Sequence, residues 1–139
     1  MRYLFSVLFC LFCFVELIAQ DMTLRADYMF SGTDKTQEIA LDELSCHEGW
    51  AGRRVNADAV PVRGNGQISM TDPVSGKIIY RQSFSTLFQE WQATEEATYV
   101  RKSFENVFLM PMPTSRVLVK VELYDFQGNV SASMAHVVY

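Results

Sequence analysis

The chain has 139 residues, with 12 lysines and arginines against 16 aspartates and glutamates and a formal net charge of −4. Basic residues do not cluster beyond Arg53-Arg54, which argues against a nucleic-acid-binding protein. Repeats, low-complexity tracts and charged tails are all missing, and the length suits one domain burying about 65% of the surface its unfolded chain exposes.

Residues 1–19 have the layout of a signal peptide. Arg2 gives a positive start, Tyr3 to Val15 is an unbroken apolar run, and Leu17-Ile18-Ala19 offers a small residue for cleavage. The run is shorter than the roughly 20 residues a membrane span needs, and Glu16 closes it. Cys10 and Cys13 follow Phe9 and Phe12, whereas a lipidated cysteine normally follows a small residue. The expectation is therefore export, to the periplasm, the cell surface or the medium, of a domain spanning 20–139. Cleavage leaves Cys46 as the lone cysteine, so the domain has to hold together by packing and not by an internal disulfide. Beside His47, Cys46 could suggest a nucleophile, but neighbouring residues point in different directions, and a passive, half-buried thiol is expected.

Period-two alternation dominates the chain beyond residue 20. In LRADYMF, Leu24, Ala26, Tyr28 and Phe30 share one face, with Arg25 and Asp27 on the other. GQISMT and KIIYRQ flank Asp72-Pro73-Val74-Ser75-Gly76, which predicts a hairpin. STLFQEWQATEEA departs from this pattern: Leu87, Phe88 and Trp91 fall on one helical face, and Thr86 with Gln89 makes a capping box. SFENVFL predicts a strand stopped by Pro111 and Pro113. RVLVKVELY alternates Val117, Val119, Val121 and Leu123 against Lys120 and Glu122, and Asp125 to Asn129 turns it into a last strand over about 130–138. The sum is an all-β sandwich of immunoglobulin-like layers with one short helix, the helix plugging an end or a crossover.

Candidate chemistry is sparse. SCHEGWAGRR opens like a zinc-protease motif, but the second histidine would fall at position 51, where Ala51 stands. The only other histidine is His136, and one histidine cannot build a catalytic zinc site. Gly49 and Gly52 interrupt any helix, so His47 is expected in a loop. Trp50, Arg53 and Arg54 are residue types enriched at contact hot spots; the plainer alternative has Trp50 capping the core and the arginines solvating a loop. Glu90, Glu95 and Glu96 lie near Trp91, yet Glu95 and Glu96 are adjacent and cannot flank one glycosidic bond. They are expected to open a helical turn, and Glu90 to reach Arg53 or Arg54. Asp34, Asp42, Asp58, Asp72 and Asp125 are scattered singly, unlike a calcium loop. GNGQ at 64–67 lacks the lysine and helix of a phosphate cradle, so its glycines are expected in turns. No cofactor is implied.

The blocks LRADYMFSG, LDEL, WAGRR, GNGQI, FSTLFQEWQATEEA and SFENVFLMPMP, in that order, resemble the N-terminal domain of the IgA-peptidase-like zinc metallopeptidases (peptidase family sixty-four) of Bacteroides and relatives. The resemblance runs from Asp21 to about Val138. It implies a β-sandwich preceding a separate zinc peptidase domain. That family's His-Glu-x-x-His belongs to the second domain and has no counterpart in this sequence, so no catalytic or metal-binding residue carries over.

Two function classes are consistent with these readings. The first is a non-catalytic accessory domain whose partner is a downstream peptidase domain, in cis or as a split product; the second is a stand-alone exported module binding protein or glycan. The sequence halts inside the apolar MAHVVY, and a natural terminus usually frays past its last strand. The expectation is a fragment or split copy, with apolar side chains around Val137 and Tyr139 exposed where a partner domain packs. The residues expected at a contact surface are Trp50, Arg53, Arg54, Glu90, Val137 and Tyr139.

Overall fold

The computed structural model describes residues 21–60 and 62–139; the leader expected over 1–19 lies outside the described residues. In chain order the elements are β1 (Met22–Gly32), β2 (Gln37–Glu48), β3 (Gly66–Thr71), β4 (Ile78–Phe84), α1 (Leu87–Gln92), a 3-10 turn (Glu96–Thr98), β5 (Lys102–Pro111), β6 (Val117–Tyr124) and β7 (Val130–Val138). They form two antiparallel sheets, one ordered β2-β1-β5 and the other β4-β3-β6-β7. The all-β sandwich with one short helix is the fold.

Alternation explains the strands. Leu24, Ala26, Tyr28 and Phe30 of β1 are all buried, and so are Val117, Val119, Val121 and Leu123 of β6. Each large face-in side chain contributes about 1.5–3 kcal/mol of transfer free energy. Ile68 and Met70 of β3 complete the floor beneath them. The hairpin expected at 72–76 joins β3 to β4. Asp72 caps it by accepting from the backbone N–H of Val74 at 2.8 Å, and this holds its carboxyl below the usual range.

β2 has no counterpart among the expected strands. Its sequence, QEIALDELSCHE, buries no residue fully, because it is an edge strand and carries acidic side chains. A bulge opposite Asp27/Tyr28 shifts its phase, which further blurs period two. His47 lies on this strand and not in a loop. Cys46 is exposed and not half-buried; it sits near the end of this edge strand.

The helix is capped much as expected. The Thr86 hydroxyl accepts from the Gln89 backbone N–H at 3.1 Å. The reciprocal arm differs: Gln89 donates through Nε2 to the carbonyls of Asn65 (2.8 Å) and Tyr124 (3.0 Å), while the Thr86 N–H turns to the Asn65 side chain. Phe88 and Trp91 are buried, but Leu87 is 71% exposed. With only six residues in α1, Leu87 at its first position faces solvent and not the core.

The glycines of GNGQ are not turn glycines. Gly66 opens β3, and neither Gly64 nor Gly66 has a positive φ. A Cβ on Gly66 would stand 2.3 Å from the Phe84 ring. Close packing, and not a turn, is what this position requires.

Candidate functional surface

Residues 49–65 carry the chain from β2 in one sheet to β3 in the other, and most of WAGRR is used to fix that crossing. The Thr23 hydroxyl donates to the Gly49 carbonyl, and Gly49 takes a φ of 81°, a region open to glycine at little cost. The Trp50 indole then folds back over Gly52, where a Cβ would lie 2.1 Å from the ring. Its N–H donates to the Arg53 carbonyl at 3.2 Å. The ring meets Tyr80 edge-on, centroids 5.9 Å apart, and packs half-buried against the core.

The arginines do not merely solvate the loop. Arg53 donates to the carbonyls of Asn56 (3.2 Å), Ala59 (2.8 Å) and Arg81, and its guanidinium lies 5.8 Å from the Tyr80 ring centre. Arg54 pairs with Asp21 and donates to the Trp50 carbonyl at 2.7 Å. Arg81 binds back across the loop, its backbone N–H donating to the Ala57 carbonyl at 2.8 Å and its Nε to the Asp58 carbonyl at 2.9 Å. This stretch therefore covers the outer edge of β4, one of the standard ways a sheet edge is blunted.

Glu90 reaches neither arginine. It is exposed on α1 and lines a separate hollow with Asp34, Lys35 and Phe126, while the arginines are held at β4 and beside Asp21. Glu96, which with Glu95 begins the 3-10 turn, is the carboxylate with defined partners. Its Oε2 accepts from Trp91 Nε1 at 2.7 Å and from Lys102. These bonds, chiefly that from Lys102, hold its carboxyl below the usual range. At the other end of the chain Val137 is half-buried and Tyr139 is 83% exposed, with the Arg116 guanidinium 5.3 Å from its ring centre.

Neither histidine is arranged as a ligand. His47 Nε2 lies 3.0 Å from the Ser45 hydroxyl on the outer face of β2. His136 projects inward from β7, its Nε2 2.6 Å from the Tyr28 hydroxyl of the opposite sheet and its Nδ1 without a partner. Burial lowers its pKa and raises that of Tyr28. Sequence reasoning missed this bridge between the sheets, because 108 residues separate its ends; the only signal is that both residues fall on inward-facing positions. Among the described residues no group of three or more His, Cys, Asp or Glu could hold a metal ion, and no helix is long and apolar enough to cross a membrane.

A groove beside this crossing brings one of the expected contact residues, Trp50, next to the edge strand β5. Trp50, Gly52 and Tyr80 form one wall, and Val107 and Leu109 of β5 the other. An open hollow between aromatic and aliphatic walls suits binding or packing. Fold and surface together define a small all-β sandwich domain. The model of the peptidase M64 N-terminus family matches residues 14–135, and the chain belongs to that family. No curated protein matches its sequence.

Proposed function

We propose that this chain is the non-catalytic N-terminal domain of an exported IgA-peptidase-like zinc metallopeptidase, and that it helps fold, position or target the catalytic domain. Membership of the peptidase M64 N-terminus family carries the reading. The placement of the two histidines agrees with it: one is engaged with Tyr28 between the sheets and the other with Ser45 on a strand surface. Zinc hydrolysis needs three convergent ligands and an open position. Export rests on the apolar run of residues 3–15 and the Ala19 cleavage position.

The experiment has two arms. The purified chain is incubated with casein and immunoglobulin A, and its zinc content is measured after dialysis; neither hydrolysis nor stoichiometric zinc is expected. A catalytic domain of the same family is then produced with and without this domain ahead of it, and its folding yield and activity are compared. Chelator-sensitive proteolysis by the chain alone overturns the non-catalytic role. A catalytic domain indifferent in yield, stability and substrate range to the presence of this one overturns the accessory role.

A further inference from the structure

The hollow that Glu90 lines lies where two strands begin and the helix ends. Gln37 opens β2 of one sheet, Ser131 lies near the start of β7 of the other, and Gln92 closes α1. Their side chains form one line of hydrogen bonds. The Ser131 hydroxyl donates to Gln37 Oε1, Gln37 Nε2 donates to Gln92 Oε1 at 2.7 Å, and Gln92 Nε2 donates to the Thr36 carbonyl at 3.2 Å. This lining is therefore fixed before any ligand arrives, which lowers the ordering cost of binding. The hollow has a volume of about 600 Å³, within the range of about 300–1,000 Å³ usual for small-ligand sites.

Phe126 is 95% exposed on the turn between β6 and β7. One exposed aromatic is ordinary in itself, but this ring lines the hollow and its turn is held firmly. Asp125 Oδ1 accepts from the backbone N–H of Gln127 at 2.9 Å and of Asn129 at 2.8 Å, and Arg63 donates to the Gly128 carbonyl at 2.9 Å. The Arg63 guanidinium also lies 4.7 Å from the centre of the Tyr124 ring, which leaves Phe126 as the open aromatic face of the hollow. The charges that line it are mixed. Asp34 and Glu90 are exposed carboxylates, Lys35 is an exposed ammonium, and Asp125 is engaged by its own turn. An anionic ligand would meet the carboxylates, and a cationic one would meet Lys35. A neutral polyhydroxyl compound suits both signs, since each hydroxyl can donate to a carboxylate and accept from an ammonium or amide N–H. Bonds of this kind to ionised groups are the stronger ones. A pyranose ring also presents a face of C–H bonds, whose partial positive charge suits the negative face of an aromatic ring.

We propose that this hollow binds a neutral oligosaccharide. One pyranose lies with its C–H face on Phe126 and shares its hydroxyls among Asp34, Glu90 and Lys35, while the bonded amides of Gln37 and Gln92 keep the two sheets and α1 in place around it. The inference concerns a ligand of this domain and does not depend on the accessory role.

The probes are three neutral trisaccharides, cellotriose, maltotriose and triacetylchitotriose, with trigalacturonate as an anionic counterpart and tetralysine as a cationic peptide. Each is titrated into the isotope-labelled chain and followed by amide shifts. At least one neutral sugar should shift the backbone amides of residues 34–37 and 124–127 and the side-chain amides of Gln37 and Gln92 saturably, with a Kd of about 1 mM or tighter. Phe126→Ala should weaken that binding at least about tenfold with the melting temperature nearly unchanged, Phe126→Trp should retain it, and Glu90→Gln should weaken it. Leu87→Gln, on α1 but outside the hollow, should bind as the parent does. No saturable shift with any of the three sugars overturns the proposal, as does binding that Phe126→Ala leaves intact or shifts confined to another face. Trigalacturonate bound as tightly as the best neutral sugar overturns the neutral class. Tetralysine bound where no sugar binds also overturns the proposal and assigns the hollow to a cationic segment.

Discussion

Removing the Trp91 side chain should cost more than any other single truncation around the helix, and the cost can be assembled from its contacts. The ring is 9% exposed, stacks on Phe88 at 6.2 Å and meets Phe104 at 5.7 Å. Truncating a buried tryptophan to alanine loses transfer free energy and leaves a cavity, about 3–5 kcal/mol together. The indole N–H adds a hydrogen bond to the Glu96 carboxylate at 2.7 Å. Bonds to charged groups contribute about 1.5–3 kcal/mol when shielded, but the Glu96 side chain is 41% exposed and keeps Lys102 as a partner. Solvent therefore screens most of that contribution here. Trp91→Phe, which keeps most of the packing, should thus cost clearly less than Trp91→Ala, for which about 3–5 kcal/mol is expected. A small domain has about 5–15 kcal/mol in total, and in one of this size each kcal/mol moves the melting point by roughly 3–6 °C. Urea unfolding followed by circular dichroism, with thermal melts on the same samples, separates the two variants. If Trp91→Ala melts within about 3 °C of the parent, the ring does not tie the helix to the sandwich. If the two variants are equal, the hydrogen bond and not the packing carries the effect.

The same structure sets three further outcomes. Burial lowers the pKa of His136, with no charged group set against it; the folded state therefore binds fewer protons than the unfolded one. The corresponding stability is complete above the unfolded value of about 6.5 and is lost as pH falls through the folded value. The urea midpoint should therefore drop between about pH 7 and pH 5, and the double variant Tyr28→Phe/His136→Leu should flatten that window; an unchanged slope refutes the assignment. Gly66→Ala forces a methyl to within 2.3 Å of the Phe84 ring and should destabilise by about 1–3 kcal/mol in the same assay, with no loss meaning that Phe84 swings away freely. Thr86→Ala should cost about 1 kcal/mol through the lost cap, whereas Leu87→Gln at an exposed position should stay within about 0.5 kcal/mol; the reverse order in a melt would show that Leu87, not the cap, anchors α1.

Elements whose own side chains alternate strongly enough to declare a face are legible in the amino-acid sequence. β1 and β6 put an apolar residue at every second position, and Asp-Pro-Val-Ser-Gly and Asp-Phe-Gln-Gly-Asn supply turn chemistry that works locally. These elements, and the sandwich class they imply, depend on interactions a few residues long. β2 cannot be read this way. Its acidic, half-exposed sequence becomes a strand because β1 offers a free edge to pair with, and its bulge breaks the period that would have marked it. The contact residues divide along the same line. That WAGRR and LFQEW matter is legible from residue type, but their partners are not: Arg53 binds carbonyls of its own loop and of β4, Glu90 stands apart from it, and Glu96 holds Trp91. Side-chain type gives a residue's bonding capacity, whereas its partner depends on which backbone the fold brings within about 3 Å. The Tyr28–His136 bridge belongs wholly to the tertiary level, since it joins side chains of two different sheets, 108 residues apart in the chain, which meet only once the sheets have packed face to face.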